Sequence, residues 1–353
     1  MMPEMIPDRD PTAPPRAGEE LDLRRLEAWL QQGPVQCEQF PSGHSNLTYL
    51  VRIAGRELVL RRPPFGTQVK SAHDMAREYR VLSQLHRVYP LAPQPTVYCE
   101  DPAVLGAPFY LMERLPGMVI RKDLPPALAR SPESCRRLSL AMVDNLAALH
   151  GLDLEAAGLS DFGKPLGYVR RQIEGWTKRW IDAQTEDVAA MNTTARWLAS
   201  KMPVESGAAL IHNDYKLDNI LVDTADPARL TGLLDWEMAT VGDPWMDLGT
   251  ALSYWIEASD PVDFQKLRMS PTIASGFITR REYVGRYEER TSRSVADPVY
   301  YYVYVLFKLA VILQQIYYRY AHGFTRDERF AALGDAAKGL GKQAGEAIAS
   351  GRI

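Results

Sequence analysis

The sequence predicts an α+β protein of two lobes, a small β-rich lobe followed by a larger helical one. Three observations carry that prediction. The chain has 353 residues, enough for two lobes that each bury a core. Between residues 35 and 114, short apolar runs alternate with turn residues, as antiparallel strands do. From Pro125 onward, apolar side chains recur every three or four positions between helix-capping residues. The expected division is a tail over 1–20, an amino-terminal lobe over 21–115 and a helical lobe over 116–353.

Residues 1–20 are rich in Pro and charge and poor in large apolar side chains, so they read as a mobile tail. Leu21, Leu23, Leu26, Trp29 and Leu30 follow a helical period until Gly33-Pro34 stops it. A strand ending near Phe40 comes next, then a loop through Pro41, Ser42, Gly43, His44, Ser45 and Asn46. Strands over 47–53 and 57–61 enclose a turn at Ala54-Gly55. Side chains alternate along a strand, so Val59 and Arg61 point together while Arg62 faces the other way. Residues 71–85 predict a helix in which Ser71 can cap and Asp74 lies in the first turn. Met75, Tyr79, Leu82 and Leu85 share one face of it, with Glu78 beside them. Strands over 96–100 and 109–114 complete the lobe, and the run from Met112 to Gly117 breaks the pattern.

Ser131 as cap and Pro132 at the first helical position open a helix to about residue 150, with Leu138, Met142, Leu146 and Leu149 as its buried stripe. Helices over 167–184 and 187–201 follow, with Trp176, Trp180 and Trp197 at packing contacts. Leu210-Ile211 predicts a short strand, His212-Asn213-Asp214 a turn, and Ile220-Leu221-Val222 the return strand. A further apolar pair, Leu233-Leu234, delivers Asp235. Asp243 caps and Pro244 begins another helix, with Asp247 one turn in. Residues 251–353 read as helical around a tyrosine-rich core helix over 300–320.

Composition narrows the function. Hydrophobic content of 46% and charged content of 24% are ordinary for a soluble globular protein. A formal charge of −3 gives no reason to invoke nucleic acid. Cys37, Cys99 and Cys135 lie far apart, without zinc spacing, and read as reduced thiols of a cytoplasmic protein. No apolar leader opens the chain. The longest apolar stretch, 299–320, contains Lys308, Gln314, Gln315 and Arg319, which are costly in lipid, so a buried helix is expected and no membrane partner. The G-x-x-x-x-G-K-[ST] pattern of P-loop enzymes is absent. Oligomeric state stays open.

The chemistry concentrates in two stretches, LIHNDYKLDNILVD over 210–223 and LLDWEMATVGDPWMDLG over 233–249. Phosphoryl transfer from a nucleotide needs divalent metal to neutralise phosphate charge, and a group that takes the proton of the attacking hydroxyl. Magnesium prefers hard oxygen ligands, so a carboxylate and an amide carbonyl suit it. Asp214-x-x-x-x-Asn219 supplies an acceptor and a ligand from one loop, and Asp235 supplies a second ligand from the next hairpin.

The run from His212 to Asn219 resembles the catalytic loop of protein kinases. With LDWEMATVGDPWMDLG it looks more like the aminoglycoside phosphotransferase family of small-molecule kinases. Within that family, the wording is similar to kinase-like domains found beside, or fused to, acyl-CoA dehydrogenases. The resemblance runs from about Val35 to about Gly323. It implies a protein-kinase-like two-lobe fold and ATP with Mg2+ as cofactors. Asp214 is then the catalytic base, Lys216 touches the transferred phosphate, and Asn219 and Asp235 bind magnesium. Ser42, Gly43, His44, Ser45 and Asn46 cover the nucleotide phosphates. Arg61 stands where the family usually has Lys, and Glu78 pairs with it. The backbone at Glu113 and Leu115 forms the adenine-binding hinge. Asp247 braces the catalytic loop, and His212 is structural. Asp161-Phe162-Gly163, although worded like a kinase metal motif, lies before the catalytic loop and reads as a connecting loop.

The resemblance implies transfer of the ATP γ-phosphate to a hydroxyl of a small molecule. Charge favours a hydroxyacyl or hydroxyacyl-CoA acceptor over a cationic aminoglycoside. Residues 251–353 carry 14 Lys/Arg against 11 Asp/Glu, with Arg280, Arg281, Arg286, Arg290 and Arg293 in a cluster. Tyr300, Tyr301, Tyr302, Tyr304 and Phe307 in the same stretch are compatible with an apolar acyl group, although such tyrosines also make a core. The alternatives are an aminoglycoside-type antibiotic kinase and a catalytically inactive nucleotide-binding module. A protein kinase is disfavoured, because Asp243-Pro244 begins a helix soon after Asp235 and leaves no room for a long activation segment.

Overall fold

The computed structural model describes residues 9–41, 46–66 and 74–353. Its strands are β1 (Val35–Gln39), β2 (Leu47–Ile53), β3 (Arg56–Arg62), β4 (Pro95–Cys99), β5 (Phe109–Glu113), β6 (Met118–Val119), β7 (Ala209–Ile211), β8 (Ile220–Val222), β9 (Leu230–Leu233) and β10 (Thr240–Gly242). The chain forms two compact units. One comprises Met1–Ile120, Glu155–Leu159 and Asn219–Ala239, and the other comprises Arg121–Leu154, Ser160–Asp218 and Thr240–Ile353. The division is threaded and not a single cut after residue 115. Its cause lies in the ladder: β6 pairs with β8 and β8 with β9, which ties the Asp235 hairpin to the amino-terminal unit.

The first unit is built on an antiparallel sheet of order β1-β2-β3-β5-β4. Leu26, Tyr49, Val51, Leu60, Phe109 and Leu111 are buried together on it. The helix Leu23–Leu30 starts at Asp22, whose side chain accepts from the Arg25 amide, and Trp29 meets Phe109 edge-on at 5.3 Å. The helix Met75–Leu85 is capped by Asp74, which accepts from the Arg77 amide at 2.9 Å. Ser71, the expected cap, lies outside the described residues, and Asp74 sits one step before the helix and not within its first turn.

Residues 9–20 do not behave as a free tail. Ala13 exchanges backbone hydrogen bonds of 2.9 and 2.7 Å with Gln39 at the end of β1. The Arg16 amide donates to Gln39 Oε1 at 2.8 Å, and Tyr49 donates its hydroxyl to the Glu19 carbonyl at 2.6 Å. A composition without large apolar groups is held here by backbone pairing, which composition does not report.

The second unit is helical. Pro298–Ala321 runs through its core, packed against the helices Tyr168–Ala183, Ala189–Ser200, Pro244–Tyr254 and Leu333–Ser350. By length and composition it is the one described helix apolar enough to cross a membrane, but 67% of that window is buried inside the protein. Tyr300, Tyr301, Tyr302, Tyr304 and Phe307 are all core residues of it.

One expected pairing fails. β7 does not pair with β8; it pairs antiparallel with β10, Ile211 opposite Thr240. The chain therefore leaves β7 in one unit and enters β8 in the other, the change falling at Asp218–Asn219. Phe162 is buried and Gly163 fits against β10, where an added Cβ would lie 2.5 Å from the Val241 carbonyl oxygen. That packing gives Asp161-Phe162-Gly163 a role in folding. The three cysteines are free thiols, Cys99 and Cys135 buried.

Candidate active site

In the first unit, β3 carries Arg61 into a cluster of acids. Its Nη2 lies 2.8 Å from Asp235 Oδ1, 3.4 Å from Glu78 Oε1 and 3.6 Å from Glu237 Oε2. Arg61 is 8% exposed and Glu78 1%. Burial works against the Arg61 charge, but Glu78 and Asp235 outweigh it and hold its pKa well above the ordinary range. Burial lifts the Glu78 carboxyl to about 7, against the pull of Arg61. Arg62 is also buried but turns elsewhere, donating to the Leu105 carbonyl at 2.8 Å and stacking on Phe65.

The β8–β9 hairpin presents Asn219 and Asp235 together. Ile220 pairs with Leu233, and the Leu234 amide donates to the Asn219 carbonyl at 2.8 Å, so the next residue on each side leaves the same end of the ladder. Asp235 adopts a left-handed backbone with φ of 68°, and a 3-10 turn over Trp236–Met238 follows. Trp236 anchors that turn, buried with its Nε1 donating to the Leu233 carbonyl at 2.8 Å. An amide oxygen and a carboxylate are hard donors of the type a magnesium ion takes. Glu237 was not foreseen: its Oε2 accepts from Asn46 Nδ2 at 2.6 Å, joining the start of β2 to this turn.

Ser42, Gly43, His44 and Ser45 lie outside the described residues. At the expected hinge, the Glu113 amide donates to the Gln94 carbonyl at 2.9 Å, which commits that N–H within the protein. Leu115 packs over Gly232, where an added Cβ would come within 2.7 Å of Leu115 Cδ1.

In the second unit, Asp214 sits between two partners. Its Oδ2 is 3.0 Å from Lys216 Nζ, and its Oδ1 accepts from the Tyr254 hydroxyl at 3.0 Å. The Lys216 ammonium also lies 5.0 Å from the centre of the Tyr254 ring, a cation–π contact. The loop backbone is fixed from below. The His212 and Asn213 amides donate to Asp247 Oδ2 and Oδ1, each at 2.7 Å, and His150 Nε2 lies 3.1 Å from the same carboxylate. Burial pushes the Asp247 carboxyl up, but His150 and His212 outweigh it and leave it below the usual carboxylate range. Tyr215 ties the loop to the helix Pro132–His150 through the Met142 carbonyl at 2.8 Å. Asp218 is half-buried, and burial raises its pKa against the opposing Lys216 charge.

The arginine cluster after residue 280 is not an open cradle for an anion. Arg280 is buried and paired with Asp260 and Glu257. Arg286 grips Asp144 through two bonds of 2.8 and 2.9 Å, Arg290 lies 3.5 Å from the same carboxylate, and Arg293 donates to the Ser206 carbonyl. Arg286 and Arg290 hold the helix Arg280–Thr291 to the helix Pro132–His150, while the acids paired with Arg280 and the carbonyl that Arg293 meets lie outside helices. The neighbouring tyrosines are core, so both charge and aromatic arguments for the acceptor lose their footing in this stretch.

The model of the APH phosphotransferase enzyme family matches residues 36–270. The chain belongs to the phosphotransferase enzyme family. A proposed aminoglycoside phosphotransferase from Ralstonia eutropha JMP134 is 32% identical, with a TM-score of 0.79 over 94% of this chain and 99% of that one. The fold also matches a thermostable mutant of the aminoglycoside phosphotransferase APH(4)-Ia in ternary complex with ADP and hygromycin B, at TM-score 0.59 and 16% identity, over 92% of this chain and 98% of that one. Mouse acyl-CoA dehydrogenase family member 10 is 35% identical over 90% of this chain, and human acyl-CoA dehydrogenase family member 11 is 32% identical over 87%. The chain spans only 30% and 40% of the length of those two relatives. As in the phosphotransferase family's fold, an antiparallel sheet unit is joined to a helical unit.

Proposed function

We propose that the chain transfers the γ-phosphate of ATP to a hydroxyl group of a small molecule. The observation that carries this reading is Asp214, held between Lys216 and Tyr254 on a loop whose backbone is fixed by Asp247. A carboxylate held in this way can accept the proton of an attacking hydroxyl, and Lys216 can meet charge on the phosphate in transfer. In this proposal Arg61, oriented by Glu78, grips the α- and β-phosphates; Arg can do so bidentately where the family usually has Lys. Asn46 with residues 42–45, and the backbone at Glu113 and Leu115, complete nucleotide binding. Asn219 and Asp235 would hold Mg2+, which neutralises phosphate charge when bound. The ADP and hygromycin B bound by APH(4)-Ia support a nucleotide paired with a small-molecule acceptor.

For the acceptor, a hydroxyacyl compound, free or as its CoA ester, ranks first. The acyl-CoA dehydrogenase names of the relatives support it. So does the charge around Asp214, where Lys216 and Lys308 are the neighbouring cations and would repel a polycationic antibiotic. The description of the Ralstonia protein favours the aminoglycoside alternative. A panel of hydroxylated metabolites, hydroxyacyl-CoA esters and aminoglycosides, incubated with ATP and Mg2+, distinguishes them by ADP release and product mass. Phosphorylation of a hydroxyacyl species is expected. Turnover of aminoglycosides alone would reverse the ranking, and ATP binding without transfer to any acceptor would point to an inactive module.

A further inference from the structure

Lys308 is a charge in the one described helix long and apolar enough to cross a membrane. It stands midway along Pro298–Ala321 and is 5% exposed. Burying an ammonium is costly unless partners compensate it, so its surroundings explain its presence. Its Nζ donates to the Asn213 carbonyl at 3.2 Å and lies 5.9 Å from the centre of the Trp176 ring. Asp214, Asp247 and Lys216 are the charged groups it senses.

Asn213 is the residue immediately before the proposed base, and its backbone is left-handed, with φ of 65°. A non-glycine residue in that region is strained and persists only where neighbours fix it. Three helices do so. Asp247 of Pro244–Tyr254 accepts from the Asn213 amide at 2.7 Å. Tyr168 of Tyr168–Ala183 donates its hydroxyl to Asn213 Oδ1 at 3.1 Å. Lys308 of Pro298–Ala321 takes the remaining backbone group, the carbonyl, through a charge-assisted bond. Of the three tethers, only Lys308 brings a cation.

We infer that Lys308 is a positioning residue for the phosphoryl transfer: its ammonium holds the Asn213 carbonyl, fixes the peptide that aims Asp214, and keeps positive charge beside that carboxylate. This rests on the functional reading of Asp214 given above. Burial and the Lys216 charge depress the Lys308 pKa, opposed by Asp214 and Asp247, so the positive charge is lost at a lower pH than an ordinary lysine would lose it.

The test uses the full chain with ATP and Mg2+, and the best acceptor of the panel or, failing one, water. K308M keeps the length of the side chain and removes its charge; K308R keeps the charge. For K308M, kcat should fall about 100-fold, the scale of a misaimed catalytic group, while the affinity for a non-hydrolysable ATP analogue stays within about twofold of wild type, since the contacts of Lys308, the Asn213 carbonyl and the Trp176 ring, are not among the residues proposed to bind the nucleotide. K308R should recover at least about tenfold of that loss. The kcat–pH profile of wild type should show an alkaline limb that is missing from K308R, since guanidinium stays charged there. A merely structural lysine would lower stability in K308M without leaving such a limb. Wild-type kcat retained by K308M, or an alkaline limb retained by K308R, would overturn the inference. Should K308M not fold, the wild-type and K308R profiles decide by the same limb. Absence of any ATP turnover by wild type would instead overturn the functional reading, before any substitution is made.

Discussion

The Arg61 cluster of the first unit and the Asp214 cluster of the second invert each other's charge. Around Arg61 one buried cation meets three carboxylates, Glu78, Asp235 and Glu237. Around Asp214 one carboxylate meets Lys216 directly and Lys308 through the neighbouring peptide. A surplus of acid around a single guanidinium is a setting that welcomes divalent metal and, with it, polyphosphate. A carboxylate held by an ammonium and a phenol hydroxyl is a fixed acceptor, as a group that takes a proton needs to be. Under the proposed function these two groups of residues serve opposite halves of the reaction, and each half should fail in its own way.

The largest expected effect breaks the second half alone. Asp214→Asn removes the proposed proton acceptor and should lower kcat by about 10²- to 10⁴-fold, the usual contribution of a general base. Affinity for ATP, measured by calorimetry with a non-hydrolysable analogue, should change little, because the Arg61 cluster is untouched. A variant that kept most of its turnover would remove Asp214 as base.

Next in size is the reciprocal break. Arg61→Ala leaves Glu78 buried without its cation, and removing one partner of a buried pair costs about 3–5 kcal/mol. Nucleotide affinity should drop by more than tenfold, roughly 1.4 kcal/mol or greater, and the melting temperature should fall with it. Arg62→Ala is the control, since that side chain serves the Leu105 carbonyl and the Phe65 ring. Equal losses of ATP affinity in the two variants would show that Arg61 has no special place at the phosphates.

The two clusters were unequally legible in the sequence. Asp214 and Asn219 share one loop, so they can be read as candidates together with the Asp235 stretch, although their spacing alone is a weak signal, and strand alternation is enough to aim Arg61 and Arg62 apart. Tyr254, Lys308 and Glu237 were silent because their partners lie far away in the chain: Tyr254 reaches back 40 positions, Lys308 95 and Asn46 forward 191. The pairing of β7 was misread for a related reason. Nearby apolar runs suggest a hairpin, but β10 supplies the partner strand, and β8 is taken by β6 and β9. The arginines after 280 show a further limit. Sequence displays their charge, while only the fold reveals that Asp260 and Glu257 pair with Arg280 and that Asp144 pairs with Arg286 and Arg290.

A third prediction sharpens how the Asp214 loop is held. Asp247 is buried and accepts two backbone amides, which Asn can match with only one oxygen. Asp247→Asn should cost about 1–3 kcal/mol of stability, the penalty of an unpaired buried donor. The pH dependence follows from the depressed Asp247 carboxyl. A group whose folded pKa lies below its unfolded value stabilises above the unfolded pKa and loses that contribution as pH falls through the folded one. Wild type should therefore lose stability faster than the variant on acidification below about pH 4, the unfolded Asp range, as measured by urea denaturation at several pH values. Parallel curves would show that Asp247 carries no such share.

The smallest effect tests whether the Asp214 cluster depends on its aromatic neighbour. Tyr254 makes two contacts with separable chemistry: its hydroxyl donates to Asp214 Oδ1 at 3.0 Å, and its ring lies 5.0 Å from the Lys216 ammonium. Tyr254→Phe deletes the first and keeps the second. A single hydrogen bond has a net worth of about 0.5–1.5 kcal/mol, so kcat should fall by about 2- to 10-fold with ATP affinity unchanged. Tyr254→Leu deletes both, and the loss should deepen because Lys216 no longer has a π face to hold its ammonium. The order wild type, Phe, Leu in kcat is the expected outcome. If Phe and Leu are equally impaired, the hydroxyl alone matters and the cation–π contact is incidental; if Phe matches wild type, Lys216 is sufficient to hold Asp214. Either result would leave the charge inversion between the clusters intact while changing which side chains sustain it.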